Sequence, residues 1–141
     1  MKFDYSKILL PEKSDFFGSA ILKPIIPIRI AFGDRALQYN ALMDSGADFS
    51  IFHTEIGEVL GMDIERGNKL PFGGVQKAGT AAAYLHTITI GIGGWNYQTT
   101  VGFSYDIADD SYGILGQRGF FDIFSVKFEY QKERIELVPK R

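Results

Sequence analysis

There is no cysteine in the 141 residues of this chain. That absence excludes disulfides, thiolate metal sites and cysteine nucleophiles together. Histidine is almost as scarce: His53 and His86 stand far apart without ligand spacing, so both are assigned to structure. No metal and no cofactor is expected. Charge of one sign is lacking too, since 15 Lys and Arg against 17 Asp and Glu leave a net charge of -2. Such a balance carries no footprint for nucleic acid or for an anionic membrane surface. Long apolar runs are missing: no window approaches a membrane span, and Met1 to Leu10 is broken by Lys2, Asp4 and Lys7. The expected compartment is the cytoplasm.

What the chain does have is glycine and phenylalanine, sixteen and twelve of them, which suits a β-rich fold with many turns. Its length fits one domain with a real core, taken as residues 21–141 behind an N-terminal extension of residues 1–20. The extension shows no clear period, and Pro11 to Gly18 reads as irregular. Ile25 to Phe32 reads as a strand, with Pro24 and Pro27 placing it at an edge. Gly33-Asp34 turns it into a partner, Ala36 to Met43. Ser50 to Phe52 is a further short strand, and Thr54 can cap a short helix that Gly61 stops. Glycine-rich residues 70–79, followed by strand-like Ala82 to Ile90, read as a mobile hairpin. Gly93-Gly94 turns a hairpin between His86–Ile92 and Trp95–Phe103. The acids Asp106, Asp109 and Asp110 lack calcium-loop spacing and read as a solvated loop. Tyr112 to Gly116 is a short buried strand, and Gln117 to Phe124 is predicted to be a helix with Phe120, Phe121 and Phe124 facing the core. A last hairpin pairs Val126–Tyr130 with Arg134–Val138.

One stretch stands apart: Ala41-Leu42-Met43-Asp44-Ser45-Gly46-Ala47-Asp48-Phe49-Ser50. An apolar strand runs straight into an Asp-Ser-Gly turn, so a carboxylate is fixed by backbone at a Gly-permitted bend. Asp44 is the candidate working residue. Hairpin, apolar run and Gly-containing bend then recur, faintly, ending in Ile114-Leu115-Gly116.

Ala-Leu-Met-Asp-Ser-Gly-Ala-Asp at 41–48, the later Gly-Gly hairpin and Gly-Ile-Leu-Gly at 113–116 together resemble the pepsin-like aspartic proteases of the single-lobe, retroviral type and its bacterial relatives. The resemblance covers roughly residues 21 to 138. It implies an all-β chain with one or two short helices, closed into the barrel-like retropepsin fold. It also implies a homodimer, in which two chains assemble one active site for a peptide or protein substrate, with no nucleic acid and no membrane as partners. In its terms Asp44 is the catalytic aspartate, and the Ser45 hydroxyl joins the hydrogen bonds that lock the two loops across the axis. Gly46 lets the backbone approach and donates an N–H toward the carboxylate. Ala47 and Asp48 match the family's Ala-Asp at the substrate-binding edge, where the second acid helps hold substrate backbone or an ion pair. Phe72, Gly73, Gly74 and Val75 resemble the flap, with Val75 near its tip. Ile114, Leu115 and Gly116 support the catalytic loop from behind. This sequence departs from the pattern at Gln117, where retroviral members commonly have Arg, and in a longer flap that carries Lys77.

Hydrolysis of a peptide by carboxylates needs one group to deprotonate water and another to polarise the carbonyl. Two aspartates about 3 Å apart share one proton and divide these roles. A chain with one Asp-Ser-Gly finds the other acid in a second copy. The function implied is an aspartic endopeptidase working by water activation; the alternative is a non-catalytic peptide- or protein-binding module of the same fold. A bare Asp-Ser-Gly can also be an ordinary turn whose Asp side chain caps backbone N–H groups.

Overall fold

A computed structural model describes residues 1–73, 81–109 and 112–140. Among them 63% lie in strands and 9% in helices, so the chain is all-β in class, as its glycine and phenylalanine content implied. The strands are β1 (Lys2–Asp4), β2 (Ser6–Ser14), β3 (Gly18–Lys23), β4 (Ile25–Phe32), β5 (Arg35–Met43), β6 (Ile51–His53), β7 (Asn68–Phe72), β8 (Ala81–Ile92), β9 (Trp95–Ser104), β10 (Gly113–Leu115), β11 (Phe124–Glu129) and β12 (Arg134–Pro139). One α-helix, α1 (Thr54–Val59), follows β6.

Alternation builds the barrel. In β4 the side chains of Ile26, Ile28 and Ile30 are buried while Pro27 and Arg29 point out, the period-2 signature of a half-buried strand. Gly33, at a φ of +59°, lets β4 turn into β5 across a two-residue loop closed by the Phe32–Arg35 pair. Strand order β4-β5-β10-β6-β9-β8, with β8 pairing back onto β4, closes six strands into a barrel, and β7 adds outside β8. Closure removes the free edges a sheet would otherwise expose. It also corrects the edge expectation for β4. Arg29 to Ala31 pair with β8 on one side and β5 on the other, while Pro27 lies where β4 pairs with β5 alone, so its missing N–H costs no bond. Inside, Ile26, Ile30, Phe52, Ile90, Val101, Phe103 and Leu115 are fully buried, and Phe120 and Phe124 close one end.

The N-terminal residues are strands, not irregular chain. β1 pairs with β12, and β11 completes a separate three-stranded sheet. Met1 ties into it twice, its ammonium donating to the Leu137 carbonyl and its own carbonyl accepting from Leu137 N–H, both at 2.8 Å. β2 and β3 form a two-stranded ribbon of their own. Most of β2 is exposed on both faces, so no hydrophobic alternation marks it in the sequence.

Two further expectations are corrected. Residues 117–123 form successive turns in place of a helix: Gly119 takes a φ of +101°, and Phe121 and Asp122 N–H groups reach back five residues to Gly116 and Gln117. Phe120 and Phe124 still enter the core, because both turn and helix bring residues four apart to one side. The cap of α1 is His53, whose Nδ1 accepts the Glu55 N–H at 3.2 Å; Thr54 is inside the helix and buried.

Candidate active site

β5 and β10 run parallel and side by side, Leu42 opposite Ile114 and Met43 opposite Leu115. The first residue beyond β5 is Asp44, and its N–H still donates to the Leu115 carbonyl at 2.9 Å. The strand therefore fixes the Asp44 backbone to its last atom. Ala47 N–H closes the bend on the Asp44 carbonyl at 3.1 Å, and Gly46 N–H donates to Asp44 Oδ1 at 3.0 Å. A Cβ at position 46 would stand 3.2 Å from that oxygen, so glycine gives the N–H an unobstructed approach. The carboxyl is half-buried.

Behind this bend a second one is stitched to it. Gln117 N–H donates to the Ala47 carbonyl at 2.8 Å, Arg118 N–H to Asp48 at 2.9 Å, and Ser50 N–H to Arg118 at 2.9 Å. The buried Ser50 Oγ accepts from Gly116 N–H at 3.0 Å. Gly116 sits so close to the loop that a Cβ would overlap the Phe49 carbonyl group. Leu115 is wholly buried, and Ile114 also pairs with Ile51 of β6. Ile114, Leu115 and Gly116 thus lie directly behind the aspartate bend.

The Ser45 side chain is exposed, and its carbonyl accepts from Gln117 Nε2 at 2.6 Å. Gln117 thus takes up the space after Gly116 with an amide in place of a guanidinium. Beyond its backbone bond to Asp48, Arg118 turns its side chain to Asp122, with Nε 3.9 Å from Oδ2, and is largely exposed. Asp48, Ala47, Phe72 and Gly73 are brought together, lining with Gly46 an open cleft of about 180 Å³. Gly74 and Val75 lie outside the described residues, as does Lys77. Phe72 pairs with Ala81 across the β7–β8 hairpin at its last described rung.

Sequence reasoning missed Phe49. Its ring meets Phe72 edge-on, centroids 5.7 Å apart, so it links the aspartate bend to the β7–β8 hairpin. The available signal was an aromatic residue inside an otherwise small and polar bend. Phe49 also borders a second hollow of about 340 Å³, with Leu70, Leu85 and Thr100. Asp106 was missed as well: its Oδ2 accepts Ala82 N–H at 3.0 Å, fastening the start of β8 to the loop after β9.

Away from the bend, His86 and Tyr97 are built into the packing. His86 Nε2 lies 2.7 Å from the Ile64 carbonyl, and its ring meets Phe32 and Phe103 edge-on. His53, Glu55 and Asp109 bring one ligand atom each within 4.8 Å of one another. With His53 Nδ1 accepting the α1 cap bond, a neutral ring carries its proton on Nε2, which leaves it without a lone pair for a metal. Beneath Gly119, burial pushes the Tyr97 phenol far above its ordinary range, so it stays neutral.

No family model matches the chain, and no curated protein does. Among solved structures, it is similar to a retropepsin-like aspartic protease from Rickettsia conorii, 13% identical over 97% of this chain and 90% of that one, with a TM-score of 0.53. It is also similar to the EIAV protease in complex with the inhibitor HBY-793, 23% identical over 67% of this chain and 82% of that one, with a TM-score of 0.48. At such identities the likeness is one of fold: the closed barrel described above is retropepsin-like.

Proposed function

We propose that the chain is one half of an aspartic endopeptidase, completed when a second copy docks about a two-fold axis and sets Asp44 beside its symmetry mate. One observation carries this reading. β5 delivers Asp44 with its backbone bonded to the end of β10, while the matching position past β10 is Gly116, where no side chain fits. The chain holds one Asp-Ser-Gly, and its second bend has no room for an acid. A homodimer supplies the missing carboxyl.

In that dimer, two carboxyls about 3 Å apart cannot both ionise, and they share one proton. The ionised group takes a proton from water, which attacks the scissile carbonyl, while the protonated group donates to the carbonyl oxygen. The apparent pKa values belong to the pair. Gly46 N–H, bonded to Asp44 Oδ1, fixes the direction of the carboxyl before substrate arrives. An extended peptide lies in the cleft between Ala47–Asp48 and Phe72–Gly73. The β7–β8 hairpin serves as the flap that excludes water over it. Ser45 locks the two bends across the axis.

Asp44→Asn keeps the shape and removes the shared proton. Peptide hydrolysis from acidic to neutral pH is expected to fall by at least about 100-fold, with the circular dichroism spectrum unchanged. Equal activity of variant and wild type would sink the assignment. Specific activity is also expected to fall on dilution as dimer gives way to monomer, followed by sedimentation equilibrium.

A second reading, a peptide-binding module of the same fold, draws on Gln117 and on Arg118 turning to Asp122. It predicts a dimer that binds extended peptides and leaves them intact.

A further inference from the structure

We infer that the β2–β3 ribbon, residues 6–23, is an arm that clasps a second copy of this chain. The inference rests on the dimer reading above and names the element that holds the dimer together.

The ribbon is anomalous as it stands. β2 and β3 pair with each other and with no third strand among the described residues. An isolated two-stranded hairpin is marginal in water. Yet this one displays Leu9, Phe16 and Phe17 to solvent, with Phe16 87% exposed and its ring edge-on to Phe17 at 4.8 Å. The ribbon is tied to its own chain near the root, where Lys7 pairs with Glu133 at 3.7 Å, but the aromatic pair at its tip is exposed and has the form of an anchor waiting for a surface.

Its root says which surface. The Pro24 carbonyl, at the end of β3, accepts the N–H of Met43, the residue before Asp44, at 2.9 Å. Lys23 Nζ lies 5.8 Å from the centre of the Tyr112 ring, just ahead of β10. Ser6, at the start of β2, donates its hydroxyl to Ile25 of the barrel at 2.8 Å. The arm therefore springs from beside the strand ends that present Asp44. If two Asp44 carboxyls meet on an axis, both arm roots lie at the seam. Nine residues of strand at roughly 3.3 Å each reach about 30 Å, enough to cross onto the partner.

Size and charge agree with this occupant. One face of such a ribbon, about 30 Å by 10 Å, covers roughly 300 Å². A two-fold dimer gives each copy one arm and one arm-receiving surface, or roughly 600 Å² a side; the aspartate bends bring this near the roughly 800 Å² of a stable interface. Toward its tip the arm carries both signs, Glu12, Lys13 and Asp15, so it is not repelled by a second copy whose net charge is only -2.

The test is physical and needs no catalysis. Sedimentation equilibrium is run on the full chain, on Asp44→Asn, and on Phe16→Ser with Phe17→Ser, whose exposed rings leave the fold intact by circular dichroism. The first two are expected to dimerise alike, and the double variant at least about tenfold more weakly. Hydrogen exchange of residues 6–23 is expected to slow as concentration rises in the wild type and not in the double variant. Equal dimerisation of the double variant overturns the inference, as does a wild type that stays monomeric at the highest attainable concentration. Protection of the ribbon that does not depend on concentration overturns it too, since the tip then rests on its own chain. A dimer held by the arm that cuts no peptide would remove the endopeptidase reading alone. Hydrolysis by a dimer that tolerates the double variant would remove the arm alone.

Discussion

Two bends lie side by side in this molecule, one after β5 and one after β10. Their strands are parallel neighbours, and each bend follows an apolar run. Yet the first presents a half-buried acid, while the second opens on a buried glycine. At position 44 the side chain is half-buried and receives the Gly46 N–H; at position 116 a Cβ would collide with the carbonyl group of Phe49. The difference teaches that the second bend is built as a rest for the first. Four of its polar groups, the N–H groups of Gly116, Gln117 and Arg118 and the carbonyl of Arg118, bond to residues 47–50. On the reading proposed above, a fold that uses its second bend for support takes its second acid from another copy.

The sharpest way to break this comparison is Gly116→Ala. The added methyl meets immovable backbone, so a loss of about 3 kcal/mol is expected, read as a fall in urea midpoint at constant m-value. Gly46→Ala, whose Cβ would meet only Asp44 Oδ1 at 3.2 Å, is expected to fold normally and serves as the contrast. If the two glycines prove equally tolerant, the second bend is not the rigid support described. Ser50→Ala comes next. It orphans the buried Gly116 N–H and is expected to cost about 2 kcal/mol of unfolding free energy, whereas Ser50→Thr, which keeps an oxygen, should recover part of it. The smallest effect belongs to Gln117→Ala. Its bond to the Ser45 carbonyl is exposed, so the expected loss is about 0.5 kcal/mol, with any change falling on peptide affinity more than on stability. A large stability loss there would mean that Gln117 holds the bend more firmly than its exposure allows.

Much of this was legible in the residues. Alternation in Ile25–Phe32, the Gly33-Asp34 and Gly93-Gly94 turns, and the apolar approaches to Asp44 and Gly116 each need only local chemistry, and each element stands close to its expected place. The β2–β3 ribbon was illegible because most of β2 faces water on both sides and β3 is half-buried with no alternation, so no period-2 pattern was written into either strand. Gln117–Phe124 misled for a different reason: its phenylalanines have helical spacing, but Gly119 takes a left-handed conformation and the segment coils as turns that bury the same rings. His53 went unrecognised as the α1 cap because histidine is not among the residues that ordinarily cap helices.

By itself the sequence determined the period of the barrel strand Ile25–Phe32, the turns at Gly33-Asp34 and Gly93-Gly94 and the presence of a single Asp-Ser-Gly, since these depend on residues a few places apart. Tertiary structure alone decided that β10 lies parallel to β5, that Phe49 meets Phe72 and that Gly116 stands beneath the aspartate bend. Those contacts join residues far apart in the chain, and only closure of the barrel brings them within reach of one another.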